Sequence, residues 1–171
     1  HEIFFYPASY RRAYQIEETD NSNILLRAEV LNKLNNKRNS IIISYPEAIS
    51  EKVISRRILN KKTITLSVLD KYHPNLLEKT LIENNFIQSD FVTEPGQFSI
   101  RGGIIDVFSY ADEYPFRIEF FDDEIESIRM FNINTQLSVE KKEKISIIPN
   151  TEAKKTSEKK VSFLEYLPKS T

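Results

Sequence analysis

The sequence predicts an α+β fold, in which a partial α/β segment is followed by a β-rich module with an antiparallel sheet and a few helices. Two observations carry this prediction. Helix and strand patterns alternate in the first part of the chain, and short apolar runs separated by turn residues follow in the second half. The chain has 171 residues, 40% of them hydrophobic, which suits one ordinary domain or a small domain with pieces of a second.

The first part of the chain reads helix, strand, helix. Polar residues at 20–23 supply N-cap types before an amphipathic helix over 24–34, where apolar residues recur at helical spacing. An isoleucine-rich run at 40–45 is typical of a buried strand. A second helix is predicted over 46–55, with proline in its first turn. A complete α/β domain needs more strands, so we expect a piece of a larger domain.

The pattern changes after residue 62. A strand over 63–69 leads to a helix over 73–85 that opens at a proline. Short β segments follow at 86–92, 97–101, 103–109, 115–121, 124–131 and 144–150. The lysine-rich residues 151–160 predict an exposed connection, and residues 162–168 predict the start of a short apolar helix.

All three glycines of the chain lie in the stretch EPGQFSIRGGIIDVFSY, residues 94–110. No glycine is followed by Lys-Ser or Lys-Thr, and no GxGxxG pattern occurs, so a phosphate-binding loop is not supported. Gly102 and Gly103 lie between two strand patterns, which indicates a tight bend or a bulge. Pro95 and Gly96 form a turn dipeptide. The glycines are therefore predicted to bend a β-sheet.

Strand alternation places charged residues near this bend. Ser99 and Arg101 share one face of their strand, and Arg117 and Glu119 share one face of the run at 115–121, about 6.6 Å apart along it. If the strands are neighbours, these side chains meet on one surface. Two interpretations remain open. One is an ordinary cross-strand ion pair, which contributes little, and the other is a recognition patch in which arginine binds carboxylates and carbonyls of another protein.

Composition excludes several classes of protein. The chain has no cysteine, which excludes disulfides and thiolate metal sites and agrees with a reducing, cytoplasmic location. It has no apolar run of about 18 residues, so we expect no membrane span. The net charge of −1 argues against a dedicated nucleic-acid domain, which normally has a basic excess.

The charges are nevertheless uneven along the chain. Residues 52–62 are basic, and residues 112–126 carry seven carboxylates and one arginine. Such asymmetry indicates either two solvated faces or a pair of docking surfaces. Contact of the basic run with a DNA backbone is the alternative function that this pattern leaves open.

The sequence predicts no catalytic, metal or cofactor site, so we expect that the chain is not an enzyme. His73 has no histidine or cysteine partner at ligand spacing and is predicted to be an exposed or capping residue. The phenylalanines of the β runs are predicted to be core residues and not base-stacking residues. A magnesium cluster is conceivable, but the adjacent aspartates fit a hairpin turn better. The carboxylates in question are Asp106, Glu119, Asp122, Asp123, Glu124 and Glu126.

The stretches EPGQFSIRGGIIDVFS, YPFRIEFFDDEIESIRMFN and NTQLS resemble the N-terminal, UvrB-like module of bacterial transcription-repair coupling factors, the Mfd family. The latter half of that family's first domain resembles three stretches of this chain, FFYPASYRR, LLRAEVLNKL and SIIISYPEAISEKV. The segment that follows in the family folds back on the first domain, and it resembles SFLEYLP. The resemblance is strongest over 92–150. It implies a partial first domain at 1–45, an interaction domain at 46–150, and a linker with the start of the following segment at 151–171.

The resemblance implies a specific function. In this family the second domain docks UvrA, the damage-recognition ATPase of nucleotide excision repair. The whole protein binds stalled RNA polymerase, translocates on double-stranded DNA with ATP, and passes the lesion to UvrA. The motor motifs and the polymerase-binding domain lie outside these residues. The resemblance therefore implies a non-catalytic interaction module with no cofactor.

The resemblance also implies the contact residues. UvrB contacts UvrA through an arginine just before the glycine turn and an Arg-x-Glu on the following strand, and these positions match Arg101, Arg117 and Glu119. UvrB has a further arginine where this sequence has Ser99, and another polar contact near Gln88. These five residues form the predicted UvrA-binding set.

Overall fold

The computed structural model describes residues 2–9, 21–36, 40–152 and 160–167. Helices and strands are both present in these residues, which confirms the predicted α+β class. The chain divides into two compact units, residues 1–61 with 150–171 and residues 62–149. Among the described residues, no helix combines the length and the apolar character needed to cross a membrane.

The elements are numbered in chain order. The α-helices are α1 (Asn21–Asn35), α2 (Pro46–Ser50), α3 (Arg56–Lys62) and α4 (Pro74–Glu83). The β-strands are β1 (Glu2–Phe5), β2 (Ser40–Ile43), β3 (Lys52–Ile54), β4 (Ile64–Ser67), β5 (Ile87–Gln88), β6 (Gln97–Arg101), β7 (Ile104–Val107), β8 (Phe116–Phe121), β9 (Glu124–Phe131), β10 (Ser138–Lys141), β11 (Lys144–Ile147) and β12 (Lys160–Ser162). A 3₁₀ helix spans Phe163–Tyr166.

In the first unit, α1 packs on a parallel pair formed by β1 and β2. A second pair, β3 with β12, is antiparallel. The 3₁₀ helix packs against the residues that follow β1, because Phe163 stacks on Tyr6 with ring centroids 4.2 Å apart. The Tyr166 hydroxyl donates to the carbonyl of Ile54 at 2.7 Å. Residues near the two ends of the chain therefore share one core.

Two predictions in this unit are wrong in detail. The strand at 40–45 forms as β2, but Ile41 and Ile43 are 47% and 54% exposed, because β2 has a single strand neighbour among the described residues. The helix predicted over 46–55 ends at Ser50 as α2, and β3 follows directly. Val53 and Ile54 are β-branched and buried, and β3 finds its partner in β12, which local sequence cannot indicate.

The chain passes from the first compact unit to the second after Lys61, whereas the resemblance implied a family domain boundary after Tyr45, which stays a prediction. The difference arises because β3 pairs with β12 of the first unit. Within the expected exposed connection, Thr151 is buried and the Glu152 side chain is only 10% exposed, since it pairs with Arg27. The remainder of that connection, 153–159, lies outside the described residues.

The second unit is built on a six-stranded sheet in the order β10-β9-β8-β7-β6-β5. Neighbouring strands are antiparallel except β5 and β6, which are parallel. α4 and the antiparallel pair β4–β11 contribute apolar side chains to the core on one face of this sheet. The buried residues of this core are Ile64, Leu66, Leu77, Leu81, Phe86, Phe98, Ile105, Val107, Phe116, Ile118, Phe120, Ile125, Ile128, Ile145 and Ile147.

Most predicted elements of this unit form. α4 begins at Pro74, and His73 caps it, because its Nδ1 accepts from the backbone N–H of Asn75 at 3.2 Å. The strand expected at 86–92 is only the two-residue β5. β10 was not predicted, since its residues are all exposed at the sheet edge and show no apolar alternation.

The glycines bend the sheet as predicted. Gly102 and Gly103 make a two-residue turn between β6 and β7, with Arg101 opposite Ile104. A Cβ on Gly103 would lie 2.9 Å from the Phe120 carbonyl oxygen, so β7 approaches β8 closely there. Gly96 has a φ of +88°, and its backbone N–H donates to the Phe108 carbonyl at 2.8 Å. It starts β6 beneath the Tyr110 ring.

Gly96→Ala is expected to lower the free energy of unfolding of the second unit by about 2–4 kcal/mol, the sum of backbone strain and overpacking. A Cβ at this position would lie 2.1 Å from the Tyr110 hydroxyl oxygen, and φ would be unfavourable. Urea unfolding followed by circular dichroism measures the loss. Gly102→Ala is the matched control, because its φ is +59° but nothing lies within 4 Å of the added methyl. Its cost is expected to be about 1–2 kcal/mol. Equal losses for the two variants would contradict the proposed clash.

Candidate functional site

The solvent side of β6–β9 carries a polar surface that we call the arginine face. Its members are Ser99, Arg101, Asp106, Arg117, Glu119, Ser127 and Arg129. Strand alternation places their neighbours Phe98, Ile118 and Phe120 in the core on the other side. The strand register then aligns the polar residues in two rows across the sheet.

The first row runs Ser99, Asp106, Arg117, Arg129, each directly opposite the next on a neighbouring strand. The second row runs Arg101, Ile104, Glu119, Ser127. Residues directly opposite in a sheet have their Cβ atoms within about 4.5–5.5 Å of each other. The two rows therefore form one continuous surface of side chains.

Asp106 lies at the centre of the first row and is 2% exposed. Arg117 Nε donates to its Oδ1 at 2.7 Å, and Arg117 Nη2 donates to its Oδ2 at 2.8 Å. Arg101 Nη2 donates to the same Oδ2 at 2.5 Å. The hydrogen bonds to Asp106 raise the pKa of the Arg117 guanidinium above its ordinary value, and burial opposes this effect.

Glu119 is neutralised in a similar way in the second row. Its Oε2 accepts from the Ser127 hydroxyl at 2.5 Å, and its Oε1 accepts from the Arg129 guanidinium. Both carboxylates of the arginine face are therefore paired within the surface. Three arginines share these two carboxylates, which leaves the face net positive and rich in hydrogen-bond donors.

Aromatic rings support two of the arginines. The guanidinium carbon of Arg117 lies 4.3 Å from the ring centroid of Phe131, which is buried. That of Arg101 lies 5.5 Å from the ring centroid of Phe91, which is 62% exposed. Cation–π contact and the bonds to Asp106 hold both groups in defined positions. Arg101 remains 41% exposed and is the more accessible of the two.

The predicted contact residues are not all brought together. Arg101, Arg117 and Glu119 lie on the arginine face. Ser99 lies on the same side but is 1% exposed, and its hydroxyl has no hydrogen-bond partner. Gln88 is exposed on the edge strand β5, where its register with Phe98 places it on the other side of the sheet. The structure thus groups three of the five residues on an accessible surface.

Several residues of this surface were missed by the sequence analysis as members of the site. Asp106 was considered only as a metal ligand, although alternation within IIDV places it on the polar side. Phe121 shares the parity of Arg117 and Glu119 and is 77% exposed. Gln136 accepts from Arg117 Nη2 at 3.0 Å, but its loop position gives no periodic signal.

The arrangement fits recognition better than metal binding or catalysis. The two carboxylates of the arginine face are paired with arginines and do not converge on a shared point. In the part of the chain that the structure describes, no group of three or more His, Cys, Asp or Glu side chains could hold a metal ion. A surface of fixed arginines with exposed aromatics is typical of protein interfaces.

The basic run at 52–62 lies on β3 and α3, and all of it except Lys62 belongs to the first unit. The Arg56 guanidinium makes intramolecular hydrogen bonds, because it donates to the carbonyls of Leu34 at 3.1 Å and Tyr166 at 2.6 Å. Lys52, Arg57 and Lys61 are exposed. The run therefore offers fewer accessible charges than the sequence indicates.

Comparison with known proteins identifies relatives over most of the chain. The family model described as the UvrB interaction domain matches residues 64–152. The chain is 32% identical over 163 residues to a transcription-repair-coupling factor of Bacillus subtilis, which covers 95% of the chain and 14% of that relative. It is 33% identical over 152 residues to that of Rickettsia bellii, covering 88% of the chain and 13% of the relative. It is 27% identical over 123 residues to the transcription-repair-coupling factor of Escherichia coli, covering 72% of the chain and 11% of the relative. The chain thus spans about a seventh or less of the length of these curated relatives.

Proposed function

The chain belongs to the UvrB interaction domain family, and on that premise we propose that it is a non-catalytic protein-interaction module that recruits UvrA in transcription-coupled repair. The matched family is an interaction domain, and the match covers no catalytic domain. The arginine face is the surface that would dock UvrA.

One observation carries this proposal. The resemblance assigns Arg101, Arg117 and Glu119 to UvrA contact, and these three residues lie together on one surface. The exposed Phe121 lies two residues beyond Glu119 on β8. Arginine and aromatic residues are enriched among residues whose truncation costs most at interfaces. The paired carboxylates keep the arginines in place while Arg101 stays accessible. Such a surface suits a partner that presents carboxylates or backbone carbonyls.

Direct binding tests the proposal. The 171-residue chain is titrated with purified UvrA at moderate salt, and the complex is measured by calorimetry or interferometry. We expect a saturable complex at micromolar protein, since transient interfaces of this type have affinities near this range. Absence of a complex at these concentrations would contradict the proposal.

Phe121→Ser is expected to weaken UvrA binding by about 5- to 30-fold, since an aromatic side chain that becomes buried at an interface contributes roughly 1–2 kcal/mol. The free energy of unfolding is expected to change little, because the side chain is 77% exposed in the free chain. Calorimetric titration measures the affinity. Leu76→Ser on α4 is the control, because Leu76 is 52% exposed on an element of the opposite layer. Equal affinities for the two variants would place the contact elsewhere.

The wider biological role rests on the relatives. They are named transcription-repair-coupling factors, and we propose that the chain acts as part of such a protein. Binding of stalled RNA polymerase, ATP-dependent translocation on double-stranded DNA, and a cytoplasmic location belong to this proposal. The described residues would supply the UvrA contact and none of the motor.

Nucleic-acid binding by the first unit is the second candidate function. Lys52, Arg57 and Lys61 are exposed on β3 and α3, and such a patch would contact phosphates. DNA binding of this kind falls steeply with the logarithm of salt concentration. A salt titration with duplex DNA separates the two functions, because replacement of these cations would reduce DNA binding and leave UvrA binding unchanged.

A further inference from the structure

We propose that Asp106 is a positioning residue for partner recognition: its buried carboxylate fixes Arg101 and Arg117 in their docking geometry before the partner arrives. This inference rests on the proposed docking function of the arginine face. Asp106 itself would not touch the partner, because it is 2% exposed.

The geometry is that of one acceptor shared by two donors. Asp106 lies on β7, between β6, which carries Arg101, and β8, which carries Arg117. Arg117 binds both oxygens, at 2.7 and 2.8 Å, while Arg101 adds a bond at 2.5 Å to one of them. A two-bond contact between a guanidinium and a carboxylate fixes the plane of the guanidinium as well as its position. Arg117 makes such a two-bond contact, whereas the single bond from Arg101 restricts its position.

Charge explains why a carboxylate is needed at this point. Arg101 and Arg117 both reach the same oxygen atom of Asp106, so their guanidinium groups lie close together. Without an anion between them, the two cations would repel each other and separate. A neutral amide at position 106 would also turn an N–H₂ donor toward one of the guanidinium groups.

A fixed arginine binds more tightly than a mobile one. Ordering a long side chain on binding opposes association, and a group that is already ordered avoids most of that cost. For two arginines the expected gain is about five- to hundredfold in affinity. The cation–π contacts to Phe91 and Phe131 act in the same direction. A purely structural role for Asp106 would instead change stability without changing arginine order.

The test combines binding with a measurement that does not involve the partner. In Asp106→Asn, UvrA affinity is expected to fall about five- to hundredfold, while the backbone amide NMR spectrum of β6–β9 stays that of a folded sheet. Glu83→Gln, which removes an exposed carboxylate from α4, is the control and is expected to leave affinity unchanged. If the wild-type chain binds UvrA and Asp106→Asn binds equally well, the inference is wrong and the docking function stands.

The second measurement uses the arginine side chains of the free 171-residue chain. The Nε–Hε signal of Arg117 in the wild type is expected to show order close to that of the strand backbone and slow exchange with water. Both properties are expected to be lost in Asp106→Asn. A disordered, rapidly exchanging Arg117 side chain in the wild type would overturn the inference even if the variant does not fold. This measurement does not involve UvrA, so it tests the ordering of Arg117 by Asp106 separately from the docking function.

Discussion

Arg101→Glu is expected to weaken binding to UvrA by about 2–5 kcal/mol, which is roughly 30- to 5000-fold in affinity. Arg101 is the accessible cation of the arginine face, at 41% exposure. Reversal of its charge removes donors from the contact and places a carboxylate beside Asp106. Calorimetric titration of the variant with UvrA measures the loss.

The control for this prediction is Lys79→Glu, a charge reversal at an exposed position of α4. It changes the net charge of the chain by the same amount but lies on the opposite layer of the second unit. Its affinity is expected to stay within about threefold of the wild type, as for a rim or remote charge. Urea unfolding of both variants separates lost binding from lost folding. If a folded Arg101→Glu variant binds as the wild type does, the docking surface is on another face.

Arg27→Met is expected to lower the free energy of unfolding of the first unit by about 3–5 kcal/mol. The Arg27 side chain is fully buried, and it pairs with Glu51 at 3.0 Å and Glu152 at 2.9 Å. It also donates to the Pro7 carbonyl at 2.8 Å and lies over the Tyr6 ring. Its removal leaves two carboxylates facing each other without a cation, which is more costly than loss of an exposed pair.

Amide exchange with mass spectrometry, recorded across a urea series, measures this effect for each unit separately. Peptides of α1 and β3 are expected to unfold at a urea concentration lower by about 1 M or more, and peptides of β8 at an unchanged concentration. Lys33→Met is the matched control on the same helix. The Lys33–Glu2 pair is exposed and should contribute less than about 1 kcal/mol. Similar shifts for the two variants would show that the Arg27 network does not hold this unit together.

The local sequence pattern was sufficient to predict many of the strands and buried faces of the second unit. The period-two alternation of PFRIEFF separates Phe116 and Ile118 from Arg117, and the structure places them on opposite faces of β8. The glycine pair between two strand patterns indicated the bend that joins β6 and β7. These features depend on neighbouring residues alone, so the sequence carries them directly.

The features that were missed depend on contacts between distant segments. β3 forms because β12 pairs with it, and no local pattern around Val53 distinguishes that strand from a helix. Arg27 lies on the buried side of α1 with Ile24 and Leu31, but the sequence analysis did not identify it as a core residue. Its partner Glu152, however, is 125 residues away along the chain.

The docking residues show the same limit. Alternation placed Arg101 and Arg117 on polar faces, but only the strand order brings both to Asp106. Gln88 was assigned by resemblance, and the parallel pairing of β5 with β6 turns it to the other side of the sheet.

Site-specific cross-linking tests most directly whether the arginine face is the UvrA contact. A photoreactive p-benzoylphenylalanine at position 121 preserves an aromatic ring on the same face of β8 as Arg117 and Glu119. The same residue at position 82 marks the exposed surface of α4. After irradiation with UvrA, we expect a covalent adduct from position 121 and only background from position 82. An adduct from position 82 alone, with binding intact in both proteins, would contradict docking through the arginine face.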